Sequence, residues 1–119
     1  MLPYSSLEQY ASDRAVLRAD VHLVAPAQIL ITATGELDAS TSAHLEEVVR
    51  GCLRERDARG IEVDLAGVTF LDSAGIQGLL TCRRHAHEAG CRLRLSNPAP
   101  LVRRVVEITG LLEIFGLPT

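Results

Sequence analysis

Between Ile61 and Leu80 the hydrophobic period of this chain switches from strand-like to helix-like within a few residues. Ile61-Glu62-Val63-Asp64-Leu65 alternates and reads as a strand with three apolar side chains on one face. Ile76, Leu79 and Leu80 then recur at helical spacing, which predicts a helix beginning near Ser73 and running to about Ala89, with Gly90 placed as its stop. The segment Phe70-Leu71-Asp72-Ser73-Ala74-Gly75-Ile76 is therefore the handover from strand and loop to helix. Ser73 stands where an N-cap is expected, among the free backbone N–H groups of the first turn. A phosphate at the same place would meet those donors and the positive end of the helix dipole. Both roles fit the position.

The same alternation runs through the rest of the chain. Ala15–Val24 can form a strand, Ala25-Pro26-Ala27-Gln28 a turn, and the β-branched run Ile29–Thr34 a central strand ended by Gly35-Glu36-Leu37-Asp38. Ser40, Thr41 and Ser42 supply helix-start chemistry without singling out one cap. Leu45, Val48, Val49, Cys52 and Leu53 follow as an amphipathic stripe. Arg92-Leu93-Arg94-Leu95 alternates as a further strand, and Asn97-Pro98 reads as the start of a last helix striped by Leu101, Val102, Val105, Val106 and Thr109. Leu111–Phe115 fits either a short strand or a packed tail. The order β-β-α-β-α-β-α predicts an α/β fold built on a small mixed, mostly parallel sheet with an N-terminal antiparallel hairpin. Residues 1–13, polar and aperiodic, read as an N-terminal tail, and residues 14–119 as one domain.

Composition removes several classes of function. A formal net charge of −3 argues against nucleic acid as a direct partner. No apolar run approaches the roughly 18 residues of a membrane span, and Met-Leu-Pro-Tyr-Ser-Ser does not resemble a signal peptide. The expected location is the cytoplasm, with no membrane partner. All twelve cationic side chains are arginine. The absence of lysine excludes a P-loop lysine, a kinase-type lysine and Schiff-base chemistry. Cys52, Cys82 and Cys91 include no CxxC pair, and Cys52 and Cys91 fall on apolar faces as small core residues do. His85 and His87 are two apart and diverge on a helix; Cys82 and His85 could share a face but make only two ligands. No metal site and no cofactor are expected.

The glycines around Ser73 do not form a phosphate loop, because bulky side chains occupy the places where a cradle needs open backbone. A hydrolase elbow wants glycine two residues to either side of its serine; Gly75 satisfies one side and Leu71 occupies the other. Gly75 and Gly78 each cost about 0.5–1 kcal/mol relative to alanine inside a helix. They imply that something approaches closely, either another element of the same fold or an external partner.

Taken together, Ile31-Thr32-Ala33-Thr34-Gly35-Glu36-Leu37-Asp38, a helix, Val63-Asp64-Leu65 and Phe70-Leu71-Asp72-Ser73-Ala74-Gly75 resemble the STAS domain of anti-sigma factor antagonists over about residues 15–115. The resemblance implies helices packed on one face of the sheet and no catalysis by the domain itself. It matches Ser73 to the family's phosphoacceptor and Asp38 to an aspartate near that site. Asp38, Thr69, Asp72, Gly75 and Gly78 are the expected partner surface. The implied mechanism is partner switching: the unphosphorylated antagonist binds an anti-sigma factor that is also a serine kinase, phosphorylation releases it, and a serine phosphatase resets it. Family members commonly continue into a further helix after the last strand. An apolar patch left open by its absence here would favour a weak homodimer.

Overall fold

A computed structural model describes residues 16–119, so the expected tail and the expected strand start at Ala15 lie outside the described residues. The elements are β1 (Leu17–Ala25), β2 (Gln28–Leu37), α1 (Ser42–Glu55), β3 (Gly60–Leu71), α2 (Ser73–Glu88), β4 (Arg92–Ser96) and α3 (Pro100–Ile108). The four strands lie in the order β1-β2-β3-β4. β1 and β2 form the predicted antiparallel hairpin, and β2–β3 and β3–β4 pair in parallel.

One sheet face carries the core. Ile29, Ile31 and Ala33 of β2, Ile61, Val63 and Leu65 of β3, and Leu93 and Leu95 of β4 are buried, whereas the residues between them are half-buried or exposed. The helices supply the matching stripes: Leu45, Val49 and Cys52 from α1, Ile76, Leu79, Cys82 and Ala86 from α2, and Val102 and Val106 from α3. Each large aliphatic side chain so buried contributes about 1.5–3 kcal/mol. The opposite face, with Thr32, Glu62, Asp64, Arg92 and Arg94, stays open. All three cysteines are free and buried, and burial pushes the Cys82 thiol up to about 12 and raises those of Cys52 and Cys91. Cys52 and Cys91 pack in the core as read from the sequence, and Cys82, read there only as sharing a helix face with His85, packs there too.

Two strands run further than the sequence pattern suggests. β2 continues through Gly35 and Glu36 to Leu37, and β3 continues past Leu65 to Leu71. The pattern is broken because the register shifts between Thr32 and Thr34, placing an extra β3 residue opposite β2. Leu65 and Val68, three apart, consequently both face the core.

Two further expectations are corrected or settled. α3 begins at Pro100 rather than at Asn97-Pro98; Asn97 adopts a left-handed conformation (φ 52°) and its amide donates to the Asp64 carboxylate at 3.0 Å. Leu111–Phe115 is a packed tail, in which the Phe115 carbonyl accepts the Leu95 N–H at 2.9 Å and the Phe115 ring is fully buried.

Candidate functional site

The carboxyl ends of β2 and β3 finish in register, Leu37 opposite Leu71, so Asp38 and Asp72 leave from neighbouring strand ends. After Asp72 the helix α2 begins at once. Asp72 has extended backbone, its Oδ1 accepts the Gly75 N–H at 3.0 Å, and its carbonyl accepts the Ile76 N–H at 2.9 Å. Asp72, not Ser73, is therefore the N-cap. The cap must be the last non-helical residue with a side chain reaching the third helical amide, and only Asp72 has that spacing. Ser73 is the first helical residue instead. Its side chain is exposed, and its hydroxyl makes no hydrogen bond among the described residues. The Ser73 and Ala74 amides belong to the first turn, which has no intrahelical acceptor.

Asp38 is held in the loop before α1. Its Oδ1 accepts from the Ser40 N–H at 2.9 Å and the Ser40 hydroxyl at 2.8 Å, and lies 3.3 Å from the Thr41 hydroxyl. The Ser40 hydroxyl most of all, with lesser help from the Ser40 N–H and the Thr41 donors, holds the Asp38 carboxyl below its usual value against the opposing effect of desolvation. Thr41 occupies the N-cap position of α1 but turns its hydroxyl back, donating to the Glu36 carbonyl at 2.8 Å and accepting the Asp38 N–H at 3.0 Å. Thr69 is exposed and donates to the Gly35 carbonyl at 3.3 Å.

Gly75 and Gly78, expected on the partner surface, are buried in the fold. A Cβ on Gly75 would collide with the Leu37 carbonyl oxygen and meet Leu71 Cδ1 at 2.7 Å; one on Gly78 would meet Ser42 Cβ at 2.5 Å. The close approach signalled by these glycines is thus intramolecular. It seats the first turns of α2 on the end of β2 and brings the N-terminus of α1 alongside, so two positive dipole ends share the Ser73 end of the fold.

Sequence reasoning missed Phe70, whose ring is 45% exposed two residues before Asp72. The only signal would have been its face in β3, and a second register shift, between Gly35 and Glu36, conceals it. Thr69, Phe70 and Ser73 are exposed and Asp38 is half-buried, all near the adjacent ends of β2 and β3. Among the described residues no arginine or histidine pairs with Asp38 or Asp72.

None of the four histidines hydrogen-bonds to Ser73 among the described residues, and His85, twelve positions along α2, is roughly 18 Å away at 1.5 Å per residue. A concavity of about 990 Å³ lies at the other end of the sheet, around Gln28, Gly60 and Arg92. No cluster of metal-ligating side chains occurs among the described residues, and no described helix is long and apolar enough to cross a membrane.

Comparison with known proteins agrees with this architecture. An anti-sigma-B factor antagonist of Staphylococcus aureus (strain NCTC 8325 / PS 47) is 31% identical over 80 residues, 67% of this chain and 73% of that protein. The fold is similar to that of the anti-sigma factor antagonist SpoIIAA in its unphosphorylated form, with a TM-score of 0.71 at 24% identity over 86% of this chain and 89% of that one. The phosphorylated form of SpoIIAA, the Bacillus cell fate determinant, gives a TM-score of 0.65 at 22% identity, covering 86% and 92%. A family model described as "Mlab, STAS domain" matches residues 24–117. With the four-stranded mixed sheet, its helices on one face and this match over most of the chain, the protein belongs to the STAS-domain family.

Proposed function

We propose that this protein is a cytoplasmic anti-sigma factor antagonist, a binding protein without catalysis of its own, switched by phosphorylation of Ser73. The observation that carries this reading is the exposed Ser73 side chain at the first position of α2, directly after the Asp72 cap, its hydroxyl unbonded among the described residues. The antagonist role of the relatives supports it. Unphosphorylated, the patch of Asp38, Thr69, Phe70, Asp72 and Ser73 docks an anti-sigma factor that is also a serine kinase, and the sigma factor is freed. The kinase brings its own ATP and transfers the phosphoryl group to Ser73, and a serine phosphatase removes it.

The physics of the switch is electrostatic. Phosphorylation adds about −1.5 to −2 charges beside two carboxylates that have no cationic partner among the described residues. The first-turn amides and the dipole tolerate the added charge, so the fold survives. A closed interface does not, because it must desolvate the phosphate against Asp38 and Asp72. A coupling of roughly 1–3 kcal/mol changes partner affinity about 5- to 150-fold.

The test is capture from lysate of the source organism by wild type, Ser73→Ala and Ser73→Asp. Wild type and Ser73→Ala retain an anti-sigma factor kinase, identified by mass spectrometry; Ser73→Asp loses it. Equal capture by all three, together with no phosphate on Ser73 in cells, would sink the switch. One second reading follows from the family match alone, which gives a STAS domain without a partner. It makes the chain a transport-associated or scaffold module whose Ser73 stays unmodified, and it predicts that no anti-sigma factor is captured in any lane.

A further inference from the structure

The two edges of the sheet differ. Beyond β4, the Leu95 N–H donates to the Phe115 carbonyl, so the C-terminal segment covers part of that edge. β1 forms the other edge, and no described residue pairs with its outer side. The Glu36 N–H donates to the Val16 carbonyl at 3.1 Å, which sets the alternation along the strand. Even-numbered residues of β1 turn their backbone groups toward β2, and Leu17, Ala19, Val21 and Leu23 turn theirs outward. The strand is nine residues long and contains neither proline nor lysine, and its one irregularity lies at the far end, between Leu23 and Ala25. Leu23 and Val24 are 59% and 62% exposed. An edge this long and open is a template for another strand.

We propose that β1 pairs antiparallel with β1 of a second copy of this chain about a twofold axis at Val21. The side chains choose the partner and the register. An axis at Asp20 would set Asp20 against the partner's Asp20 and Arg18 against the partner's His22. An axis at His22 would set the two imidazoles together and leave Asp20 facing the partner's Val24. With the axis at Val21, Asp20 faces His22 of the partner subunit, and symmetry repeats the pair. These two residues lie on the open polar face, paired in β1–β2 with Thr32 and Leu30. They also occupy the non-hydrogen-bonded positions of the new ladder, where opposed side chains stand closest.

On the helix face, Val21 meets the partner's Val21, and Ala19 meets the partner's Leu23. Ala19 and Val21 already border the core, so pairing extends the core and covers Leu23. Arg18, 3.3 Å from Asp20, stays beside the new pair on the same open face. Leu17 lies opposite Gly35 at the Ser73 end of the sheet. Antiparallel pairing therefore points the two Ser73 patches in opposite directions and leaves both free. The dimer stands or falls independently of the phosphorylation switch.

Sedimentation equilibrium of the full chain at rising concentration tests this. The wild-type mass climbs from 12.9 kDa toward twice that value, and Ser73→Asp behaves identically. Val21→Pro removes an outward N–H without touching the ladder to β2, so it stays monomeric with an unchanged circular dichroism spectrum. Asp20→Arg weakens the dimer roughly 2- to 30-fold in Kd through two cross-strand pairs, and Asp20→Arg/His22→Asp restores it. If Val21→Pro does not fold, the charge exchange decides alone. A wild type that stays monomeric throughout, a dimer unaffected by Val21→Pro, or an exchange that restores nothing overturns the proposal.

Discussion

The chain passes from strand to helix twice at adjacent places in the sheet, at Leu37-Asp38 and at Leu71-Asp72, and the two junctions behave differently. After Asp38 comes a loop in which the hydroxyls of Ser40 and Thr41 are tied up, Ser40 to Asp38 and Thr41 to the Glu36 carbonyl. After Asp72 there is no loop. The aspartate caps α2 directly, and Ser73, unbonded among the described residues, presents an exposed side chain. The same Leu-Asp start thus yields one junction that consumes its hydroxyls and one that displays its hydroxyl on a fixed turn. Cap geometry, rather than the presence of serine, selects the candidate acceptor.

Displaying Ser73 on so short a junction requires that α2 start hard against the end of β2, and Gly75 makes that contact possible. Gly75→Ala breaks the arrangement most severely, because the added methyl meets the Leu37 carbonyl, which belongs to backbone and cannot rotate away. The expected loss is about 1–3 kcal/mol in urea unfolding. Gly51→Ala in α1, with nothing within 4 Å of its Cβ, is the reference and gains about 0.5–1 kcal/mol. If Gly75→Ala were as stable as Gly51→Ala, the tight junction would not be a constraint.

A smaller effect separates the two aspartates. Asp72→Ala removes the side-chain cap of α2 and is expected to lose about 1 kcal/mol, with Asp72→Asn recovering most of it because asparagine caps equally well. Hydrogen exchange should show the first turn of α2 opening in Asp72→Ala while the Ser40–Ser42 amides are unchanged. Equal opening at both junctions would mean that they share one support.

Much of this was legible beforehand, and the failures have physical causes. The Ile61–Leu65 alternation and the Leu45–Leu53 stripe fixed strand and helix because each buries one face only. Position alone offers Ser73 as the cap, since serine and aspartate are both good caps and sit side by side here; choosing Asp72 needs its 3.0 Å bond from the Gly75 N–H. Gly75 and Gly78 announced a close approach, but a glycine records only that something is near, and here it is Leu37 and Ser42. Phe70 was invisible as a surface residue because two register shifts in the β2–β3 ladder reset which face each residue occupies. Such shifts are properties of a strand pair, not of one strand's pattern.

The least of the expected effects probes the loop junction through pH. Hydrogen bonds from Ser40 and Thr41 favour the ionised Asp38, so its carboxyl titrates below 3.8 in the folded protein. A carboxylate with a lowered folded pKa contributes stability that is fully present above its unfolded value and is lost as pH falls through the folded one. Asp38→Asn keeps an acceptor for the Ser40 N–H but cannot titrate. Thermal unfolding of the two proteins should therefore differ by a constant margin from pH 7 to about pH 5, and the margin should shrink on acidification below that. Asp38 faces solvent, so the change is small, and salt reduces it further. A margin independent of pH would show that the Ser40 and Thr41 donors serve Asp38 equally well in its neutral form, and the loop would then be held by geometry instead of charge.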